Sequence, residues 1–223
     1  MDIMEAMRAR HSVRRYTERS VAEEAVKLLQ QEIDACNREG NLRIQLVLEE
    51  PEAFGGFLAH YGFFKGVKNY IALVGPDENS LDERVGYYGE RIVLKAQMLG
   101  LNTCWVAATY SKRKNRIEVG CGERLVCVIA LGYGANQGRQ HRNRSMQSLC
   151  RVEGELPEWF RRGVEAAMLA PTAVNQQRFC FVLLGEHTVR AEVGRGACTK
   201  IDLGIVKYHF EIGAGTEPFR WDK

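Results

Sequence analysis

Residues 161–169 of this 223-residue chain are mostly helix formers, and the run stops at Pro171. Proline cannot continue a helix and pushes the residue before it toward extended backbone. Small and amide residues follow, Thr172-Ala173-Val174-Asn175-Gln176-Gln177, and lead into the apolar run 179–184. The stretch predicts a helix that ends in a polar turn feeding a buried strand. Rigid elements on both sides would fix a hydroxyl, an amide and backbone groups in place, which suits a ligand. An ordinary helix-to-strand loop has the same composition.

Hydrophobic residues make up 45% of the chain, ample for a packed core in one large domain or two small ones. No apolar run approaches the roughly 18 residues that span a bilayer. The first fifteen residues alternate charged and apolar types, unlike a signal peptide, so a cytoplasmic protein is expected. The seven cysteines are scattered with no C-x-x-C pair, which argues against a disulfide framework and a zinc site. A net charge of +3 suits an anionic small ligand as well as it suits nucleic acid. The basic tract 137–144 has few aromatic neighbours, so a nucleic-acid platform ranks last.

Hydrophobic periodicity predicts a short helix over 1–10, then a helix over 21–35 opened by a Ser20/Glu23 capping box. A loop over 37–40 precedes a strand over 43–48, and an aromatic, glycine-rich segment spans 54–64. Strands are expected over 70–74, 103–108 and 126–131, with a helix over 89–99 capped by Gly100. The tract 137–144 reads as a connector, 158–169 as the helix before the turn, and 204–215 as a helix.

In Arg10-His11-Ser12-Val13-Arg14 the residues Arg10, Ser12 and Arg14 alternate, so an extended backbone projects them from one face. Two guanidiniums and a hydroxyl on one spot suit a phosphate, although a solvated basic segment is the plainer reading. The layout helix 21–35, loop to Asn41 and strand to 48 matches helix 158–169, loop to Asn175 and strand to 184. Gly89 and Gly100, like Gly204 and Gly215, are eleven apart. Two related halves are the expectation.

The motif Arg10-His11-Ser12-Val13-Arg14, the turn Ala170-Pro171-Thr172-Ala173-Val174-Asn175-Gln176-Gln177, and the segments Gly100–Val106 and Ala130–Tyr133 together resemble the nitroreductase family of FMN-dependent oxidoreductases. The resemblance implies an α+β fold with a mixed or antiparallel central sheet flanked by helices, internally duplicated. It also implies a single unit over 1–223 made of two intertwined halves, about 1–145 and 146–223. It assigns Arg10, His11, Ser12 and Arg14 to the FMN phosphate. Pro171, Thr172, Ala173, Asn175 and Gln177 would lie along the flavin ring and ribityl chain, and Val106, Ala107 and Ala108 at the ring's reactive face. No catalytic side chain or metal is implied, because the flavin carries the chemistry.

Two departures stand out. Relatives usually place the Pro-Ser-x-x-Asn turn soon after the arginine motif and bind flavin between two subunits. Here the turn comes about 160 residues later, as in the subgroup where one polypeptide does the work of an intertwined dimer. Arg178-Phe179 stands where many relatives have Pro-Trp, which touches substrate stacking. The implied activity passes hydride or electrons from NADH or NADPH through FMN to a nitroaromatic, quinone or similar acceptor by a ping-pong mechanism. The alternative is a flavin sensor or carrier without turnover. Partners would be small-molecule acceptors, with no nucleic acid or membrane, in a monomer or homodimer.

Overall fold

The structure, a computed structural model, describes residues 1–54, 63–109, 116–215 and 219–222. Its helices are α1 (Ile3–Ala9), α2 (Glu23–Gly40), α3 (Leu81–Met98), α4 (Glu158–Ala167) and α5 (Thr199–Ala214). The strands are β1 (Gln45–Val47), β2 (Asn69–Pro76), β3 (Asn102–Val106), β4 (Glu123–Gly132), β5 (Cys150–Arg151), β6 (Phe179–Leu184), β7 (Thr188–Val193) and β8 (Arg220–Trp221). The chain forms two compact units, residues 1–81 with 91–140 and residues 82–90 with 141–223, so α3 contributes its first half to the second unit and its second half to the first.

The first unit holds an antiparallel sheet in the order β1-β2-β4-β3. β2 is buried on both faces, which is why it reads as a continuous apolar run. One face packs Tyr70 and Ala72 of β2 with Val128 and Ala130 of β4, Cys104 and Val106 of β3, and Phe54 and Phe64. β3 is the edge, and the N-terminal segment covers it: Val13 N–H donates to Thr103 O at 3.0 Å, with Ser12 paired to Thr103 in parallel. A covered edge removes a row of unpaired backbone groups.

The second unit holds a mixed sheet in the order β5-β6-β7-β8, in which β5/β6 and β7/β8 are parallel and β6/β7 antiparallel. Phe210 of α5 sits at the centre of its aromatic core, 4.6 Å from Phe181 and 5.5 Å from Phe160 between ring centroids. His209, fully buried, ties three helices together: its Nδ1 lies 3.1 Å from Ala166 O and its Nε2 3.0 Å from Glu90 Oε1. A carbonyl only accepts, so Nδ1 carries a proton, and the other contact shares one between Nε2 and the carboxyl group.

The expectation of one central sheet gives way to two four-stranded sheets, because strand content can be read locally whereas strand partners cannot. Ser20 does not cap α2: its N-cap is Ala22, with no side-chain hydrogen bond. Residues 37–40, expected as a loop, are its last turn. Asn37 instead donates to Ile44 O and accepts from Ile44 N–H, and Asn41 ends the helix in left-handed conformation. Helix α3 begins well before Gly89, leaving that glycine inside the helix, as Gly204 is inside α5. Of the segment 54–64, residues 55–62 lie outside the described residues.

Gly204 has a packing reason for its place. A Cβ there would lie 1.9 Å from Glu83 O, and one at Gly86 would lie 2.0 Å from Ile201 O, so the two backbones meet at paired glycines. Gly204→Ala must push α5 off the first half of α3, at a cost of about 3 kcal/mol. Urea unfolding measures this, and a loss under about 1 kcal/mol would contradict the close crossing.

Candidate functional site

In the first unit, residues 10–17 form an extended rail. Arg10 ends α1 with φ −69° and ψ 119°. Lys65 N–H donates to Arg14 O, Tyr16 N–H to Lys65 O, and Thr17 N–H to Tyr133 O, so the segment is held from both sides. Tyr16 is buried and its hydroxyl donates to Val13 O at 2.7 Å, locking the rail across its own turn.

The Ser12 hydroxyl and the charges of Arg10 and Arg14 all act on one group, the Cys104 thiol of β3. Burial pushes this thiol up from its usual range, while the Arg14 charge, a hydrogen bond from Ser12 and the Arg10 charge act in the opposite direction. Arg10 is buried, Ser12 half-buried and Arg14 exposed, so the three run from the interior to the surface. His11 is half-buried, and a Cβ on Gly138 would lie 2.7 Å from the His11 Cβ. Val106 is buried on the same sheet face as Cys104, and Ala107 and Ala108 lie exposed in the bend after β3.

In the second unit, the stretch that stops at Pro171 forms a strained turn. Val174 (φ 46°), Asn175 (φ 55°) and Gln177 (φ 44°) all adopt left-handed backbone. For a β-branched residue this is an outlier, and Val174 is 97% exposed, so packing gained by its own side chain does not offset the strain. Neighbouring groups impose the shape. Asp202 of α5 accepts from Ala173 N–H at 2.9 Å and from Gln176 Nε2 at 2.7 Å. Thr172 Oγ1 accepts from Gln177 N–H at 3.1 Å.

The basic tract expected as a connector wraps this turn. Asn175 and Gln177 both donate to Arg142 O, at 3.0 and 2.7 Å, and Gln177 also donates to Asn175 Oδ1. Arg144 N–H donates to Gln177 Oε1 at 2.9 Å, and the ring of His141 donates to Met168 O at 3.0 Å. Gln177 is buried and its amide is spent inside the turn. Pro171, Thr172 and Ala173 are half-buried and Asn175 is exposed. Asp202 was missed from sequence. Its one signal is a lone acid among the apolar residues Ile201, Leu203, Ile205 and Val206. Burial raises its carboxyl above the usual range, against the two hydrogen bonds it accepts.

The arginine rail, the turn and the α+β architecture meet one family pattern, and a family model described as "Putative TM nitroreductase" matches residues 2–214. The chain belongs to this nitroreductase family. The fold is shared with a nitroreductase from Thermotoga maritima at 24% identity, TM-score 0.66, over 94% of this chain and 82% of that one. A Desulfovibrio desulfuricans protein crystallised in complex with FMN matches at 21% identity, TM-score 0.55, over 70% of this chain and 99% of its own. A Parabacteroides distasonis protein described as a "Putative NADH dehydrogenase/NAD(P)H nitroreductase" matches at 18% identity, TM-score 0.53, over 66% and 95%. No curated protein matches the sequence.

The donor set of the rail suits a phosphate ester: two permanently charged forks and a hydroxyl stand on rigid backbone. The turn offers the Thr172 hydroxyl hydrogen and the exposed Val174 and Asn175. Its strain is testable. Asparagine tolerates left-handed backbone, so Val174→Asn raises stability by about 1 kcal/mol, whereas Asp202→Ala lowers it by about 1–3 kcal/mol by stranding Ala173 N–H. Denaturant melts of both variants check this, and a destabilised Val174→Asn would contradict the strain.

Proposed function

We propose that the protein is an FMN-dependent oxidoreductase that takes reducing equivalents from NADH or NADPH and passes them to a nitroaromatic, quinone or similar acceptor. The observation that carries this reading is the rail bearing Arg10, Ser12 and Arg14, held along the edge of β3 by Val13 N–H to Thr103 O and the pairing of Ser12 with Thr103. Membership of the nitroreductase family and a fold shared with an FMN complex support it.

Bound FMN would supply the hydride and electron chemistry itself. The protein's residues would bind and orient it. Arg10 and Arg14 would neutralise the phosphate and Ser12 would turn its hydroxyl from the Cys104 thiol to donate to it, with His11 completing the segment. Pro171, Thr172, Ala173 and Asn175 would lie along the ring and ribityl chain, with Gln177 holding the turn from inside. Val106, Ala107 and Ala108 would line the open face, where small side chains leave room for a flat acceptor. Both substrates would use that face in turn, which gives ping-pong kinetics. One chain is proposed to carry one flavin, with halves of about 1–145 and 146–223 in the roles of two subunits. The same reading puts the protein in the cytoplasm.

Titration with FMN is expected to quench flavin fluorescence, and initial rates at several acceptor concentrations to give parallel double-reciprocal lines against NAD(P)H. Quenching without NAD(P)H oxidation would instead mark a flavin carrier. Arg10→Ala removes a charged hydrogen-bond donor and is expected to weaken FMN by about tenfold or more. Asn175→Ala weakens it by loosening the turn, and Asn41→Ala, which alters only the end of α2, leaves FMN affinity unchanged. Equal losses at Asn41 and Asn175 would remove the distinction between the two halves.

A further inference from the structure

The second unit contains a cleft of about 450 Å³ whose walls include Arg144, Arg151, Arg178, Ser148, Phe179 and Glu192. Three guanidiniums face one carboxylate there, so three positive charges against one negative leave a balance of two positive. The way the arginines are held matters more than their number. Arg151 pairs with Glu192 and is compensated. Arg178 donates to Arg195 O, and Arg144 Nη1 donates to Gln177 O at 3.2 Å. A carbonyl oxygen orients a guanidinium without cancelling its charge, and each fork keeps further N–H donors.

Two uncompensated like charges held in one cleft repel each other, and a dianion between them turns that cost into attraction. We infer that this cleft is a second small-molecule site, one that takes a phosphate group. Phe179 and Val193 give an apolar wall for an organic body attached to the phosphate. Arg144 holds Gln177 with its backbone N–H and its side chain, so the cleft and the strained turn share a residue.

The inference stands apart from the flavin reading, and its test keeps the two distinct. Inorganic phosphate and phenyl phosphate are titrated calorimetrically into the full chain at fixed ionic strength. Saturable binding is expected, weakened about tenfold or more by Arg178→Gln and by Arg144→Gln, since each removes a charge-assisted contact. Glu192→Gln removes the one carboxylate and tightens binding, a gain that a folding defect does not mimic. Any event at the flavin rail is lost in Arg10→Ala, so the titration is repeated in that variant, where the event belonging to this cleft remains. Tighter binding of phenyl phosphate identifies a phosphate ester as the ligand, and equal binding identifies free phosphate. Absence of saturable binding, retention of full affinity in both arginine variants of the cleft, or loss of every saturable event in Arg10→Ala would overturn the inference.

Discussion

The hydrogen bond from Val13 N–H to Thr103 O, 3.0 Å long, is the contact on which the proposed phosphate site depends. It lays the N-terminal segment along the edge of β3. Period-two backbone then does the rest: once Val13 is fixed and buried, Arg10, Ser12 and Arg14 fall on alternate positions, and all three act on the Cys104 thiol. Tyr16 and the bonds to Lys65 and Tyr133 keep the segment from sliding by one residue, a slip that would turn every side chain to the other face.

The second unit works by a different device. Its turn does not follow from local preference, because valine and glutamine avoid left-handed backbone. Asp202, Arg142 and Arg144, together with Thr172 inside the turn, impose it through seven hydrogen bonds. Backbone strain that is over-determined by its surroundings is characteristic of binding turns. The exposed Val174 is the residue that carries that strain.

Much of this was legible in the sequence where one element decides its own form. The run 179–184 is β6 as expected, and 126–131 lies inside β4. The alternation in residues 10–14 anticipated an extended segment. Illegible were the features set by distant partners. α2 runs on to Gly40 because Asn37 finds Ile44, and the tract 137–144 looked like a plain connector because nothing local shows that Arg142 and Arg144 grip a turn more than thirty residues away. β7 was missed because Arg190 and Glu192 break its apolar pattern; they lie beyond the two residues that β8 pairs, where Arg190 pairs with Asp222 and Glu192 with Arg151.

The central claim is that Arg10, Ser12 and Arg14 hold a flavin by its phosphate. Comparing FMN with riboflavin, which lacks that phosphate, tests it most directly by fluorescence titration of the wild-type chain and of Arg10→Ala. FMN is expected to bind about a hundredfold or more tightly than riboflavin, and Arg10→Ala to erase most of that difference while leaving riboflavin affinity unchanged. Equal affinity of the wild-type chain for the two flavins, or an FMN preference that survives Arg10→Ala intact, would contradict the account.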